Sequence, residues 1–542
     1  MHGHKQAAIA AMILVAPFGA AQGQTSTASP PPPPPPVVSV AAPATQPPAT
    51  LTPATQPNVS NFVRCDGRKG HAGFFEKMGQ LVAITATAGL AGAMTNDLGS
   101  VDKRFSGRQG IAACDAAIAE EGNEHRRVEL GIARTVHFIE AEDLPGALAS
   151  VRAVPGLAGK LAADAGFKRG LGAAVTMLEA DVLLRMGQVA EAEATAARAA
   201  RAADYELVGV LRAASYLSLS QDITAEKLAA VERGARLYPR LLLDLSEYHG
   251  WRGDYRAGAA RTGELIELTR GFAGEVFHDE ALMARQSIYL MMAGDMAASN
   301  ALAEAAAAKL AITAAGAEAA KYANVIAETD EQLAMQRIGR LAAEGNLSRA
   351  RQLFGARDRW LKVSAPIVVD MATRLRQGAR PEELAGALDI EPQVQRAAYF
   401  NTRISSLTKA EKAVDRLYVL ALANVSSKTL AGAGGAVWKT GSKPRFLLKR
   451  GKDAKFDFDI ASTELRLYGR EAGEALLLHC ALIARDRGVQ GFVVSPSRVR
   501  TDMLVLRFGN AGDPGLPASA LLDAKQVIAD LAPLIPEPTP AR

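Results

Sequence analysis

The sequence predicts a mainly α protein, a helical-repeat region followed by a small α/β (α+β) C-terminal domain. Three observations carry this. Alanine, the best intrinsic helix former, is abundant throughout, while aromatic residues make up only 5% of the 542 residues. A glycine or short polar turn recurs just before Ala-rich helix starts. After Leu430 the apolar pattern changes from helical spacing to short strand-like runs. With 49% hydrophobic and 22% charged residues, most of the chain can form packed cores, and its length suggests about three units.

Composition also excludes several classes. A net charge of +5 is small for this size, so no nucleic-acid partner is expected. Few aromatics argue against a stacked sugar or base platform. Three cysteines are too few for a disulfide-dense miniprotein or a four-cysteine zinc site.

The N-terminus reads as a secretory signal peptide, residues 1–23. Lys5 precedes an apolar run from Ala7 to Ala16, broken by Pro17 and Gly19 before the small residues Ala20-Ala21-Gln22-Gly23. That run is too short to span a bilayer. No cysteine stands at the cleavage region, so a lipoprotein is not expected, and export to the periplasm follows. Residues 24–61 form a Pro-rich disordered linker, with seven consecutive prolines at Pro30–Pro36 and no charge from Gln6 to Val63. The apolar run within Phe74–Met94 is expected to be a core helix, so the mature chain should have no transmembrane helix.

Residues 62–430 read as the helical-repeat domain. Turns precede helix starts at Met186-Gly187-Gln188, Leu219-Ser220-Gln221-Asp222, Arg252-Gly253-Asp254-Tyr255, Ala293-Gly294-Asp295 and Glu344-Gly345-Asn346. Gly187, Ser220 and Gly253 are 33 residues apart. With Ala257 after the third turn and Tyr238-Pro239 closing its repeat, these segments resemble tetratricopeptide repeats (TPR). Gly110–Ala117 resembles the second helix of such a unit, and Ala141–Leu144 before Ala147 another degenerate turn. The Leu-Gly pair of the first TPR helix is mostly absent, and the spacing exceeds 40 residues after Gly253. The resemblance implies a TPR-like α-solenoid whose concave surface binds a peptide or protein partner.

Gly432-Ala433-Gly434-Gly435 reads as a boundary, and residues 431–532 as the small α/β module. Strands are expected at Arg445–Leu448, Phe456–Ile460, Gly491–Val494 and Met503–Phe508, and helices at Glu471–Arg487 and Ala518–Leu531. Residues 533–542 read as a disordered tail. The run Glu474–Cys480 to Gly488, followed by Gly491–Val494, resembles a strand-helix-strand module of proteobacterial envelope proteins, which implies location alone.

Catalytic, cofactor and metal sites are not expected. The six histidines beyond the leader show no metal-ligand spacing, and nucleophile-elbow, phosphate-loop and zincin motifs are missing. His278-Asp279-Glu280 reads as a solvated helix start, His479-Cys480 as core, and Ser495-Pro496-Ser497 as a turn. Lys439, Lys443, Arg445, Lys449, Arg450 and Lys452 crowd one stretch, which makes an anionic-surface patch or a solvated hairpin. Export places Cys65 and Cys114 in an oxidising compartment and predicts a disulfide between them, the alternative being three packed, reduced cysteines. The functional expectation is an exported scaffold that binds proteins or peptides in the cell envelope. The alternative is an envelope hydrolase with its site in the C-terminal module. The oligomeric state is left open.

Overall fold

The computed structural model describes residues 60–68, 104–202, 204–273, 278–408, 427–440, 446–450, 458–463, 469–496 and 503–538. The expected signal peptide at 1–23, nearly all of the Pro-rich segment and the run at 74–94 lie outside the described residues. Among the described residues no helix is long and apolar enough to cross a membrane.

The chain is mainly helical, with a small antiparallel sheet near the C-terminus. The helices are α1 (Asn61–Asp66), α2 (Gly107–Glu120), α3 (Glu124–Glu140), α4 (Leu144–Leu157), α5 (Ala173–Arg185), α6 (Val189–Ala202), α7 (Leu207–Leu217), α8 (Ala225–Leu237) and α9 (Leu241–Trp251). There follow α10 (Tyr255–Ala273), α11 (Glu280–Met292), α12 (Met296–Ala315), α13 (Ala323–Ala343), α14 (Leu347–Gly355), α15 (Ala365–Arg376), α16 (Pro392–Thr408) and α17 (Ser427–Val437). The C-terminal part holds β1 (Phe446–Arg450), β2 (Asp459–Thr463), α18 (Gly469–Asp486), β3 (Gly491–Val494), β4 (Met503–Gly509), β5 (Leu522–Asp523) and α19 (Ala524–Leu531).

One turn device recurs along the helical part. Gly187, Gly253, Gly294 and Gly345 take φ between +74° and +85°, the left-handed conformation that ends a helix most cheaply with glycine. The next amide in each case donates to the carbonyl five residues back: Gln188 to Leu183, Asp254 to His249, Asp295 to Leu290 and Asn346 to Leu341, each 2.9 Å. Asp254 and Asp295 then accept from Ala257 and Ala298 with their side chains, so one residue closes one helix and caps the next. The turn at Ala141-Glu142-Asp143 is the same device with a non-glycine residue, Glu142, at φ +58°.

A Cβ at Gly294 would meet nothing within 4 Å, so only its backbone conformation demands glycine. Gly294→Ala should therefore cost about 1 kcal/mol, and Glu142→Gly should not destabilise at all. Urea midpoints of the two variants check this, and an unchanged Gly294→Ala midpoint would refute it.

Ser220 also lies between two helices, as expected, but its turn is built differently. There α7 ends in a longer connection, 218–224, without a left-handed residue. Buried Glu193 of α6 replaces the glycine device: its carboxylate accepts the amides of Leu219 (3.2 Å) and Ser220 (2.9 Å), the Ser220 hydroxyl and the Lys227 ammonium. Later turns are 41 and 51 residues apart, at Gly253, Gly294 and Gly345.

The sheet has strand order β1-β2-β4-β3-β5, with every pairing antiparallel, which is the α+β form of the expected module. All four residues of β3 are buried because the strand has helices on both sides. Val493 packs with Leu268 and Phe272 of α10, while Phe492 and Val494 join the cluster that contains Leu476–Leu478 of α18. A strand covered on both faces reads as a continuous apolar run, as Gly491–Val494 does. Gly491 is required by proximity, since a Cβ there would lie 2.1 Å from the Leu522 carbonyl oxygen.

The expected helix at Ala518–Leu531 begins only at Ala524, where Asp523 caps it by accepting the Gln526 amide. The first part of that span is a short 3-10 turn and β5.

The Gly432–Gly435 run lies within α17 and not in a linker. Leu430, Ala433 and Val437 are buried at i, i+3 and i+7, and this apolar stripe outweighs the poor helix propensity of the glycines. Correspondingly, the largest core cluster runs from Met177, Leu217 and Leu245 of the helical part into Leu430, Leu476, Phe492, Leu522 and Ile535. Asn61–Arg542 clusters as one compact unit.

Candidate interaction surface

The sequence-predicted residues fall in several places. Cys65 and Cys114 form a disulfide, Cα atoms 4.6 Å apart, buried with Ala113, Ala117, Leu130 and Ala133. Beside it His137 reaches the Cys65 carbonyl at 2.7 Å, and Asp66 forms a bidentate pair with Arg126 of α3. Of the basic stretch, Lys439 is exposed. Lys443, Arg445 and Lys452, and the side chains of Lys449 and Arg450 on β1, lie outside the described residues.

His479 donates from Nδ1 to the Val437 carbonyl at 2.7 Å, and burial lowers its pKa. Cys480 is buried in the apolar cluster of α18. The pair serves packing.

The start of α11 corrects the expectation of a solvated His278-Asp279-Glu280. Asp279 and Glu280 are buried. Asp279 is held by Arg270 of α10 at 2.6 Å and by Lys309 of α12, while Glu280 accepts the Thr313 hydroxyl at 2.7 Å. Two neighbouring helices supply partners that the local sequence does not show. Among the described residues no group of three His, Cys, Asp or Glu is placed to hold a metal ion.

A different cluster gathers the most varied chemistry. The last turns of α5, α7 and α9 end near one another, and α16 lies across them. Arg185, the last residue of α5, donates to the Thr408 carbonyl at 2.8 Å while Asp181 holds its Nε at 2.7 Å. Asp181 in turn accepts the buried Tyr216 hydroxyl at 2.6 Å. Ser218, the C-cap of α7, accepts from Arg403, whose guanidinium also lies 3.6 Å from Glu247 of α9. Gln221 accepts from Arg396 at 2.7 Å.

Trp251 closes α9 and forms an aromatic group with Tyr399 and Phe400, ring centroids 5.7 and 5.2 Å away. Arg396 stands over the Trp251 ring at 5.4 Å. Arg396, Tyr399, Phe400, Arg403, Ile404 and Leu407 recur at i, i+3, i+4, i+7, i+8 and i+11, so one face of α16 makes all of these contacts. Cations suit this place, because helix C-termini carry partial negative charge and Glu247 adds a full one.

Asp244, one turn before Glu247, is half-buried, and desolvation raises its pKa to about 6 against the pull of Arg403. The folded state thus binds this proton more tightly than the unfolded chain. The resulting stabilisation is fully present below about pH 4 and is lost as pH rises through about 6. Asp244→Asn should gain about 2 kcal/mol on wild type between pH 4 and pH 7. Paired urea titrations at the two pH values check this, and a pH-independent difference would refute it.

Sequence reasoning missed this cluster because Trp251 and Tyr399 are far apart in the chain and neither stands in a motif. The one available signal is the spacing of Arg396, Tyr399, Phe400 and Arg403 at i, i+3, i+4 and i+7. Neither a protein-family model nor a curated protein matches the chain.

Proposed function

We propose that this protein is an exported, TPR-like helical-repeat scaffold that binds a protein or peptide partner in the cell envelope and has no catalysis of its own. The observation that carries the reading is the seat at the ends of α5, α7 and α9. Side chains from three successive helical units there grip one helical segment through ion pairs, hydrogen bonds and tilted ring contacts. Such a surface suits recognition of a helix in a groove. The repeated turn at Gly187, Gly253, Gly294 and Gly345, which joins α5 to α6, α9 to α10, α11 to α12 and α13 to α14, supports the solenoid reading.

The test is photo-crosslinking of the mature protein in envelope extract, with Trp251→Ala plus Glu247→Gln as the comparison. One partner should be captured by wild type and lost from the double variant. Capture indifferent to these two substitutions, or no capture at all, would overturn the reading.

A further inference from the structure

Resting on that reading, we infer that the ends of α5, α7 and α9 are the docking site for a partner helix bearing two arginines around an aromatic pair, and that α16 is a resident occupant which such a helix displaces. The partner chemistry is written in the present occupant. Arg396, Tyr399, Phe400 and Arg403 sit at i, i+3, i+4 and i+7 and meet Gln221, Trp251, Ser218 and Glu247. Without a guanidinium in the Arg403 position, Glu247 would lose its ion-pair partner and keep only the longer-range pull of Arg285. A partner must therefore bring one.

Three observations mark α16 as displaceable. First, none of its 17 residues is buried, whereas the shorter α15 just before it buries Ile367, Val368, Val369, Met371, Ala372 and Leu375. The only contacts of α16 with the main core among the described residues are the half-buried Ile404 and Leu407, so removing α16 uncovers less apolar core than removing α15 would. Second, its hold on the seat depends on side chains at an accessible rim, which another chain bearing the same groups could supply. Third, the segment leading to it is anchored independently. Arg351 donates to the carbonyls of Leu375 (2.8 Å) and Gln377 (2.9 Å), and Arg376 to that of Leu388 (2.6 Å). The chain up to Asp389 can stay in place while α16 leaves.

A tethered occupant reduces the apparent affinity of an outside helix by the fraction of time the seat is empty. The probe is a fluorescent synthetic peptide of residues 392–408, titrated into the full mature protein. Tyr399→Ala plus Arg403→Ala in the protein loosens the resident helix and touches no seat residue. The peptide should bind this variant at least about tenfold tighter than wild type. Adding Trp251→Ala and Glu247→Gln to the seat should abolish the gain. Equal affinity for wild type and loosened variant would overturn the inference.

Hydrogen exchange of the unaltered protein gives a second measurement independent of any variant's folding. Amides of α16 should exchange through local opening well before those of α9 and α15, and protection equal to that of α9 would overturn the inference. Failure of the peptide, with a captured partner that still depends on Trp251 and Glu247, removes this inference and leaves the scaffold reading standing. Peptide binding with no captured partner does the converse.

Discussion

Replacing both Cys65 and Cys114 by Ala should lower the unfolding free energy by about 4 kcal/mol, the chain-entropy value for a loop of this length. The crosslink closes 49 residues of sequence separation and ties a six-residue helix, α1, to α2. A helix that short has no stability of its own in water. Its place depends on the disulfide, on buried Val63 and on the Asp66–Arg126 pair. Loss should therefore begin locally: α1 detaches, Arg126 is left beside Glu129 with one partner fewer, and α2 and α3 lose part of their cover. Urea unfolding of the oxidised protein against the double variant measures it. A difference below about 1 kcal/mol would show that the remaining contacts suffice.

The second large effect is expected at Glu474. This buried carboxylate of α18 accepts Arg169 at 2.7 Å and Arg470 at 2.8 Å. Arg470 also donates to the carbonyls of Arg169 and Ala202, so the group bolts α18 to the segment before α5 and to the end of α6. Glu474→Ala would strand two guanidinium charges where burial already lowers the Arg169 pKa. Breaking one partner of a buried charge network costs about 3 to 5 kcal/mol. Glu474→Gln, which keeps an acceptor, should cost less. Hydrogen exchange should show α18 and β3 loosening first, while a uniform loss across α10–α15 would contradict this account.

How much of this was legible in the sequence depended on where each determinant sat. Gly187, Gly253, Gly294 and Gly345 announce their turns because a local backbone need selects glycine, and after Gly253 and Gly294 a local aspartate caps the next helix. At Ser220 the turn itself was legible, but the group that stabilises it, Glu193 of α6, was not, because no periodicity carries that information. The glycines of α17 mimic a linker, and only the positions of Leu430, Ala433 and Val437 against the core decide otherwise. The strands at Gly491–Val494 and Met503–Gly509 were visible as apolar runs, yet their antiparallel order was not. The seat of α16 was the least visible. It is assembled from the ends of three helices and a fourth far along the chain, and such proximity leaves no trace in spacing.

The continuous core around Leu245 and Leu476 also bears on how the chain reaches this fold. Arg169 and Glu474 meet although 305 residues separate them, and the largest apolar cluster needs residues from both regions. A polypeptide delivered N-terminus first, from a ribosome or through a pore, can form α2–α6 as local units but cannot seal that cluster until its last ~70 residues arrive. Until then the part of the cluster completed by Leu476, Phe492 and Leu522 is missing. The early chain is thus a ready client for a holding chaperone, and truncation anywhere before Ile535 should yield an aggregating product, not a smaller folded one.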